Sequence, residues 1–290
     1  MHITLVLLRV FRTISSSLIT SESPEVLRSH HKKKRGCMIL DQFRLDGQVA
    51  LVTGGNRGLG FGIATALAEA GADIVSIQRS GDVSLLQERV QHAGRRLLPL
   101  TLDLADESAA EKALAATIAQ FGRVDILVNN AGIQRRSPAS DFPPEDWDAI
   151  LTVNLRSVFL FCQVIGRAML PQGRGKIINI ASLLSFQGGI TVPAYTASKH
   201  AVVGLTRALC NEWAGRGINV NAIAPGYMDT DLNVALRADP ERNRTISERI
   251  PAGRWGTPAD MGGAAVFLAS SASDYVHGQI VVVDGGWMAR

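Results

Sequence analysis

From residue 48 onward, short apolar runs rich in Val and Ile alternate with longer helical patterns, and this alternation is the strongest constraint on the fold. A strand, a helix and a second strand make a βαβ unit, and repeated units build a parallel sheet. Because the crossovers are right-handed, the helices fall on both faces of that sheet. The sequence therefore predicts the α/β class, with one doubly wound sheet.

Seven apolar runs have the length and the β-branched content of buried strands. The predicted strands of this seven-stranded parallel sheet are residues 49–52, 73–77, 97–102, 125–129, 176–180, 218–224 and 280–283. The predicted helices are residues 58–70, 82–93, 106–121, 144–170, 194–215 and 258–270, each to within a few residues.

The domain organisation follows from where this alternation begins. We expect one domain at residues 38–290, with the long polar stretch at about 227–256 closing over the substrate, because open α/β sheets bind ligands beyond the carboxyl ends of their strands. Residues 1–37 lack periodicity and end in a basic run, His30–Arg35. We interpret them as a disordered or spurious N-terminal extension, while a targeting peptide or basic binding arm is the alternative.

Charge and cysteine content restrict the partners. Residues 38–290 carry 23 basic and 24 acidic side chains, so we expect no nucleic acid as a partner. The three cysteines have no metal-binding or disulfide spacing, which indicates no metal site and a reducing, cytoplasmic location. No apolar run approaches the ~20 residues of a membrane span, so we expect no membrane anchor.

A glycine-rich segment, Thr53–Gly60, follows the first predicted strand and opens the first predicted helix with the spacing GxxxGxG. Glycines there allow backbone amides to approach a pyrophosphate, and the helix N-terminus favours the anion. This strand–turn–helix context predicts a dinucleotide cofactor and makes the doubly wound sheet a Rossmann-type domain.

The end of the second strand indicates which cofactor is used. An acidic residue there would bind the ribose 2′-hydroxyl of NAD, but Gln78 and Arg79 occupy the position. Arg79 and Arg57 could clamp a 2′-phosphate, which slightly favours NADP over NAD; two solvated surface arginines are the alternative. Asp103, at the end of the third strand, could accept from the adenine amino group or cap the next helix.

Tyr195 and Lys199 are four residues apart at the start of a predicted helix, so they share one helix face. A free tyrosine has a pKa near ~10, and a neighbouring ammonium stabilises the phenolate. We therefore expect Lys199 to lower the pKa of Tyr195, so that Tyr195 exchanges a proton with an alcohol or ketone. A solvated Tyr–Lys pair is the alternative.

Other polar residues fall where the site should form. Ser182 follows the fifth strand, where its hydroxyl could bind a substrate oxygen or cap the chain. Asn129–Gly132 ends the fourth strand with small and polar residues suited to a ribose. Asn154 lies in an apolar helical pattern, where an amide must be hydrogen-bonded, so a structural or water-holding role is expected.

Together these segments, with Pro225-Gly226, resemble the motifs of the classical short-chain dehydrogenases/reductases in order and spacing over residues 45–290. The resemblance implies a catalytic tetrad of Asn154, Ser182, Tyr195 and Lys199, and it implies a homotetramer. The cofactor contacts expected besides Tyr195 and Lys199 are Gly54, Asn56, Arg57, Gly58, Leu59, Gly60, Arg79, Asp103, Leu104, Asn130, Ala131, Gly132, Pro225, Gly226, Met228 and Thr230.

Within that family the chain resembles sugar-acid dehydrogenases, in residues 38–40, 182–190, 250–256 and 283–290. This resemblance implies hydride transfer between NAD(P) and a secondary alcohol of 2-deoxy-D-gluconate or 2-dehydro-3-deoxy-D-gluconate. The nearby arginines, Arg135, Arg136, Arg249 and Arg254, suit a carboxylate. The substrate contacts expected are Arg136, Ser182, Gln187, Tyr195 and Arg254.

Two alternatives use different features. A 3-oxoacyl carrier protein reductase, or another polyol or sugar dehydrogenase, would share the chemistry, but a carrier-protein substrate predicts an apolar groove and a basic patch. A non-catalytic nucleotide-binding regulator would keep the fold without turnover. The presence of Ser182, Tyr195 and Lys199 opposes the regulator.

Overall fold

The computed structural model describes residues 38–290, so the N-terminal extension predicted at residues 1–37 lies outside the described residues. Seven parallel strands form one sheet in the order β3-β2-β1-β4-β5-β6-β7. The strands β1 to β7 are Val49–Thr53, Asp73–Gln78, Leu97–Thr101, Ile126–Asn129, Gly175–Ile180, Ile218–Pro225 and Ile280–Val283. The predicted seven-stranded sheet is therefore confirmed, and the order reverses between β1 and β4, where a crevice forms.

Helices pack on both faces of the sheet. The α-helices α1 to α9 are Gly58–Glu69, Ser84–His92, Ala109–Phe121, Pro144–Leu151, Ser157–Met169, Pro193–Trp213, Val234–Ala238, Pro240–Arg249 and Gly262–Ala269. Residues of α1, α2 and α9 form one apolar layer with the sheet, and residues of α3, α5 and α6 form the other.

Strand β1 shows why the strand sequences are continuously apolar. Ala50 and Val52 pack into the layer of α1 and α9, whereas Val49 and Leu51 pack into the layer of α3 and α5. Successive strand residues point to opposite faces, so a strand covered on both faces has no solvent-facing position. All five residues of β1 are buried accordingly.

Three predicted elements differ from the structure. The helix predicted at 144–170 is divided by a π-helical segment, Thr152–Arg156. The helix predicted from residue 106 begins at Ala109, because the Asp106 carboxylate accepts from the Ser108 amide at 2.9 Å and forms a turn there. The helix predicted from residue 258 begins as a 3-10 turn, Pro258–Met261.

The segment predicted as a polar loop at 227–256 contains the two helices α7 and α8. Asp239 starts α8, because its carboxylate accepts from the backbone amides of Glu241 and Arg242 at 3.1 Å. Pro240 occupies the first helical position, where its missing N–H is no loss. The Asp-Pro pair followed by polar residues is thus a helix start and not part of a loop.

The helical stretch Pro144–Gln172 has the length and mean hydropathy, 1.6, of a membrane span. Half of its most apolar window is buried inside the protein. In particular, Phe161 and Ile165 of α5 pack against the sheet. A buried core helix meets the same criteria of length and composition, so the stretch is weak evidence for a membrane.

A chain of buried polar side chains crosses the core below the carboxyl edge of the sheet. The Asn129 amide donates to Asn179 Oδ1 at 2.9 Å, and Asn179 Nδ2 donates to Thr206 Oγ1 at 3.0 Å. These residues lie on β4, β5 and α6, so the chain ties two central strands to the helix that begins at Pro193.

Replacement of the central amide should destabilise the protein. Asn179→Leu keeps the number and branching of the side-chain heavy atoms but leaves the Asn129 amide and the Thr206 hydroxyl without these partners, so the free energy of unfolding should fall by about 2–4 kcal/mol. Denaturant unfolding measures the change. Asn211→Leu, at an exposed position of α6, is the control; equal stability of the two variants would contradict the role of this chain of polar side chains.

Candidate active site

A cavity of about 610 Å³ opens at the carboxyl edge of the sheet, beside the crevice between β1 and β4. It brings together nearly all of the predicted site residues. Those that line it are Gly54, Asn56, Arg57, Gly58, Leu59, Arg79, Asp103, Leu104, Asn130, Ala131, Gly132, Arg136, Ser182, Gln187, Tyr195, Lys199, Pro225, Gly226, Met228 and Thr230. Gly60, Asn154 and Arg254 do not line it.

Close backbone packing explains the glycines of the first turn. A Cβ on Gly60 would lie 2.0 Å from the Gly54 carbonyl oxygen, so only glycine allows α1 to start against that turn. Gly54 has φ 68°, a conformation that glycine adopts freely. Arg57 precedes the helix and gives no side-chain cap, so the first amides of α1 are left to bind a ligand.

The end of β4 is fastened to the same turn. Thr53 Oγ1 accepts from the backbone amides of Asn130 and Ala131, each at 3.0 Å. The Asn130 side chain donates to the Thr53 carbonyl oxygen at 2.8 Å. This side chain is consequently a brace between β1 and β4, and the backbone beyond it, Ala131 and Gly132, forms the cavity wall.

At the end of β2, the cavity wall carries cations. Arg57 and Arg79 both line it, and Arg57 lies 3.6 Å from Asp231, an exposed pairing. Gln78 has an amide where a ribose-binding carboxylate would stand. It is buried, and its Oε1 accepts from the Ser76 hydroxyl at 2.8 Å. Asp103 accepts from the Ala105 amide at 3.0 Å, and its contact with adenine stays a prediction.

The uncapped helix start, the glycine turn and the two arginines fit a phosphorylated dinucleotide. The free amides of α1 would hold the pyrophosphate, and Arg57 and Arg79 would hold a 2′-phosphate. In residues 38–290, no group of three His, Cys, Asp or Glu side chains could hold a metal ion.

Tyr195 and Lys199 lie in the first two turns of α6, which begins at Pro193. The Lys199 ammonium lies 5.7 Å from the centre of the Tyr195 ring. It donates to the Ile180 carbonyl oxygen at 2.6 Å, so the end of β5 fixes its position. The pair is therefore held by the sheet edge as well as by helical spacing.

Burial determines the proton affinities of this pair. It lowers the pKa of Lys199 to about 8, because an ammonium without water is costly. Burial also raises the pKa of Tyr195, while a hydrogen bond with the Ser182 side chain opposes that rise. The predicted lowering of the Tyr195 pKa by Lys199 is therefore not seen in the protein alone, where burial is the larger cause and the opposing effect comes from Ser182.

Ser182 is held by the turn that follows β5. Its hydroxyl accepts from the Leu184 amide at 3.2 Å, and the Ser185 hydroxyl accepts from the Ser182 amide at 3.2 Å. Ser185 in turn donates to the Lys199 carbonyl oxygen at 2.7 Å. Ser182 therefore caps this turn and lines the same cavity as Tyr195, while its contact with a substrate oxygen stays a prediction.

Asn154 is fully buried in the π-helical segment. Its Oδ1 accepts from the Ile133 amide at 2.8 Å, and its Nδ2 donates to the Ile133 carbonyl oxygen at 2.9 Å and to the Ser198 hydroxyl at 3.3 Å. The side chain thus joins the loop after β4 to α6. A water-holding role for this residue stays a prediction.

The arginines around the outer end of the cavity form two groups, those with an acidic partner and those without one. Those outside it form ion pairs: Arg135 with Asp146, Arg237 with Asp229, Arg244 with Glu241 and Glu248, and Arg254 with Asp260. The expected substrate contact of Arg254 is therefore wrong, because Asp260 engages its guanidinium at 2.8 Å away from the cavity. In the described part of the chain, Arg136, Arg242 and Arg249 line the cavity without an acidic partner.

Two residues of this end were missed by sequence reasoning. Arg242 and Trp287 line the cavity, but neither was predicted to bind substrate. Trp287 lies 100 positions from Gln187, whose Oε1 accepts from its indole N–H at 3.3 Å. No local pattern signals such a contact. Gln187 keeps its amide NH₂ group as the donor for a ligand.

The fold and the site define a class of protein: an oxidoreductase that uses NAD(P) to act on CH–OH groups. A family model of the short-chain dehydrogenases, described as enoyl-(acyl carrier protein) reductase, matches residues 54–288. The chain belongs to the short-chain dehydrogenase/reductase family.

Several relatives are similar over their whole length. The 2-dehydro-3-deoxy-D-gluconate 5-dehydrogenase of Dickeya dadantii is 56% identical over 254 residues, 87% of this chain and 100% of that protein. A putative 2-deoxy-D-gluconate 3-dehydrogenase of Agrobacterium tumefaciens, solved with NADP, is 52% identical with TM-score 0.81, covering 86% and 100%. A gluconate 5-dehydrogenase of Burkholderia cenocepacia, solved with NADP and tartrate, is 45% identical with TM-score 0.83, covering 87% and 100%.

The lowered pKa of Lys199 predicts how stability depends on pH. Burial lowers this pKa from the ordinary 10.5 to about 8 in the folded protein. Between these values the unfolded chain binds more protons than the folded protein, so the free energy of unfolding rises with pH. Relative to Lys199→Met, which cannot titrate there, the wild type should gain roughly 2–3 kcal/mol across this window.

Denaturant unfolding at a series of pH values measures this gain. Lys112→Met, which removes an exposed lysine paired with Asp106, is the matched control and should follow the wild type. Parallel stability curves for the wild type and Lys199→Met would show that Lys199 is not desolvated as described.

Proposed function

We propose that this protein transfers a hydride reversibly between NAD(P) and a secondary alcohol of a small sugar acid. The substrates that we propose are 2-deoxy-D-gluconate or 2-dehydro-3-deoxy-D-gluconate, the type of compound in the names of the relatives. One observation carries the proposal: within residues 38–290, the cavity that holds Tyr195 is also lined by Arg136, Arg242 and Arg249, none of which has an acidic partner. Uncompensated cations at the rim suit a carboxylate, whereas an acyl chain would need an apolar groove.

We assign each residue of the site a separate role in the reaction. A bound nicotinamide would supply the acceptor for the hydride of the carbinol carbon. In the oxidation direction Tyr195, as the phenolate, accepts the hydroxyl proton, and in the reverse direction the Tyr195 phenol returns it. The Ser182 hydroxyl, which lines the cavity beside Tyr195, orients the substrate oxygen. Lys199, held by the Ile180 carbonyl oxygen, places a positive charge near the Tyr195 ring and stabilises the phenolate form that the oxidation needs.

Asn154 holds the backbone on which Tyr195 lies, through hydrogen bonds outside the cavity. Its three hydrogen bonds hold Ile133 and Ser198, and Ser198 donates to the Tyr195 carbonyl oxygen at 2.7 Å. The loop after β4 and the start of α6 are thus fixed relative to each other. A reacting phenol needs such fixed support, because small displacements of reacting groups cost much of the rate.

We propose NADP as the preferred cofactor. Arg57 and Arg79 line the cavity where the adenosine ribose would lie, and the carboxyl end of β2 carries Gln78 in place of a carboxylate for a 2′-hydroxyl. Relatives with 52% and 45% identity were solved with bound NADP.

Initial rates test this function. Purified protein is offered 2-deoxy-D-gluconate and 2-dehydro-3-deoxy-D-gluconate with NAD⁺ and NADP⁺ in parallel, and nicotinamide absorbance is followed. We expect turnover of at least one acid and a higher kcat/KM with NADP⁺ than with NAD⁺, because two guanidinium groups favour the 2′-phosphate. Cofactor binding without turnover of any sugar acid would overturn the proposal and favour a regulator.

Tyr195→Phe is the mechanistic control. The variant keeps the ring but lacks the proton acceptor, so turnover should fall by about 100-fold or more while NADPH binding, followed by fluorescence, is unchanged. Unchanged turnover would show that another group moves the proton.

We also propose that the protein works in the cytoplasm as a homotetramer. Ile118, Trp147 and Phe159, on α3, α4 and α5, are 40%, 38% and 41% exposed. Large apolar side chains on adjacent helices are typical of a surface that another subunit covers. Light scattering should give four times the 31.1 kDa chain mass, and Phe159→Lys should lower it. A monomeric wild type would refute the assembly, and recovery in a membrane fraction would refute the location.

A further inference from the structure

Arg249 is the cavity arginine whose orientation is fixed. Its guanidinium carbon lies 3.8 Å from the centre of a Trp287 ring. A guanidinium stacked on an indole keeps its N–H edges free while one face is covered. Within residues 38–290, neither Arg136 nor Arg242 has a side-chain hydrogen bond, an ion pair or a ring contact that would orient it similarly.

Trp287 is itself held firmly. It is 6% exposed and packs in a cluster with Leu183, Ile246 and Ile250. Its indole N–H donates to Gln187 Oε1 at 3.3 Å. The ring thus connects α8, which carries Arg249, to the turn that carries the reacting end of the cavity.

The sequence Asp284-Gly285-Gly286 explains how Trp287 reaches this place. The two glycines have φ 64° and 92°, a conformation that side chains disfavour. The Asp284 carboxylate accepts from the amides of Gly286 and Met288, each at 2.8 Å, and closes the turn. A Cβ on Gly285 would lie 2.8 Å from Ile250, so the glycine also lets the segment after α8 come close.

We propose that Arg249 binds the carboxylate of the substrate and that Trp287 is the residue that positions it. This inference rests on the proposed function, since it requires an acidic substrate. The Arg249 guanidinium offers two parallel N–H donors to a planar carboxylate at the rim of the cavity. The acid would therefore be held at one end while its alcohol group meets Tyr195. The Trp287 stack restricts the guanidinium before the substrate arrives, which reduces the entropy lost on binding.

Steady-state kinetics on the full-length protein test the role of Arg249. Arg249→Gln should raise the KM for 2-deoxy-D-gluconate by about 10- to 100-fold, with a smaller change in kcat, because a charged hydrogen-bond pair is lost. Arg249→Lys keeps the positive charge but not the planar pair of N–H donors, so its KM should lie between those of the wild type and Arg249→Gln. Arg244→Gln, on the same helix and paired with Glu241 and Glu248, is the matched control and should resemble the wild type.

A neutral probe separates carboxylate recognition from general damage. In 2-deoxy-D-glucitol a CH₂OH group replaces the carboxylate. The constant for inhibition of 2-deoxy-D-gluconate turnover by this compound should differ by less than about twofold between the wild type and Arg249→Gln. An unchanged KM for the acid, or an equal rise of this KM and of the inhibition constant, would overturn the inference. NADPH binding, followed by fluorescence, verifies that each variant is folded.

Two variants test Trp287 as a positioning residue. Trp287→Phe keeps an aromatic face for the guanidinium and should retain most of the affinity for the acid, whereas Trp287→Leu keeps only apolar bulk and should raise the KM toward that of Arg249→Gln. Equal KM values for the two variants would refute the stack. Failure of the proposed function is seen separately, as a wild type that turns over no sugar acid.

Discussion

The burial of the sheet on both faces is the constraint on which the rest of this structure depends. Since α-helices cover both sides of strands such as β1, the strand interiors have room only for apolar side chains and for polar groups that bond to each other. Groups meant for a ligand must therefore lie beyond the strand ends. Glycines after β1, amides after β4 and a hydroxyl after β5 meet at one edge for this reason.

The same burial sets the proton chemistry. Lys199 keeps one strong hydrogen bond, to the Ile180 carbonyl oxygen, and little water, so its pKa is about 8. Desolvation also raises the pKa of Tyr195. Both groups therefore hold protons differently from free side chains, and a charged cofactor and substrate would change their environment further. The proton affinities of the pair thus depend on what fills the cavity as well as on the pair itself.

Sequence reasoning identified what depends on neighbours along the chain. Strand runs, the glycine turn and the spacing of Tyr195 and Lys199 are local, and the structure places them at one edge. It failed where a partner distant in sequence, or a competing ion pair, determines the position of a side chain. Asp260 attracts Arg254 away from the cavity, and Trp287 reaches Arg249 only through the tertiary fold. The π-helical segment at Asn154 likewise depends on its bonds to Ile133, 21 residues earlier.

The contact between Trp287 and α8 also has a consequence for the order in which the site is built. Chains are synthesised from the N-terminal side, and a domain generally folds as a unit. The turns after β1, β2 and β4 emerge early, whereas the stack beneath Arg249 requires the residues that follow β7. The residues of the dinucleotide turn are therefore present long before the chain contains the support of Arg249. Acid recognition is the step of maturation that waits for nearly the entire polypeptide.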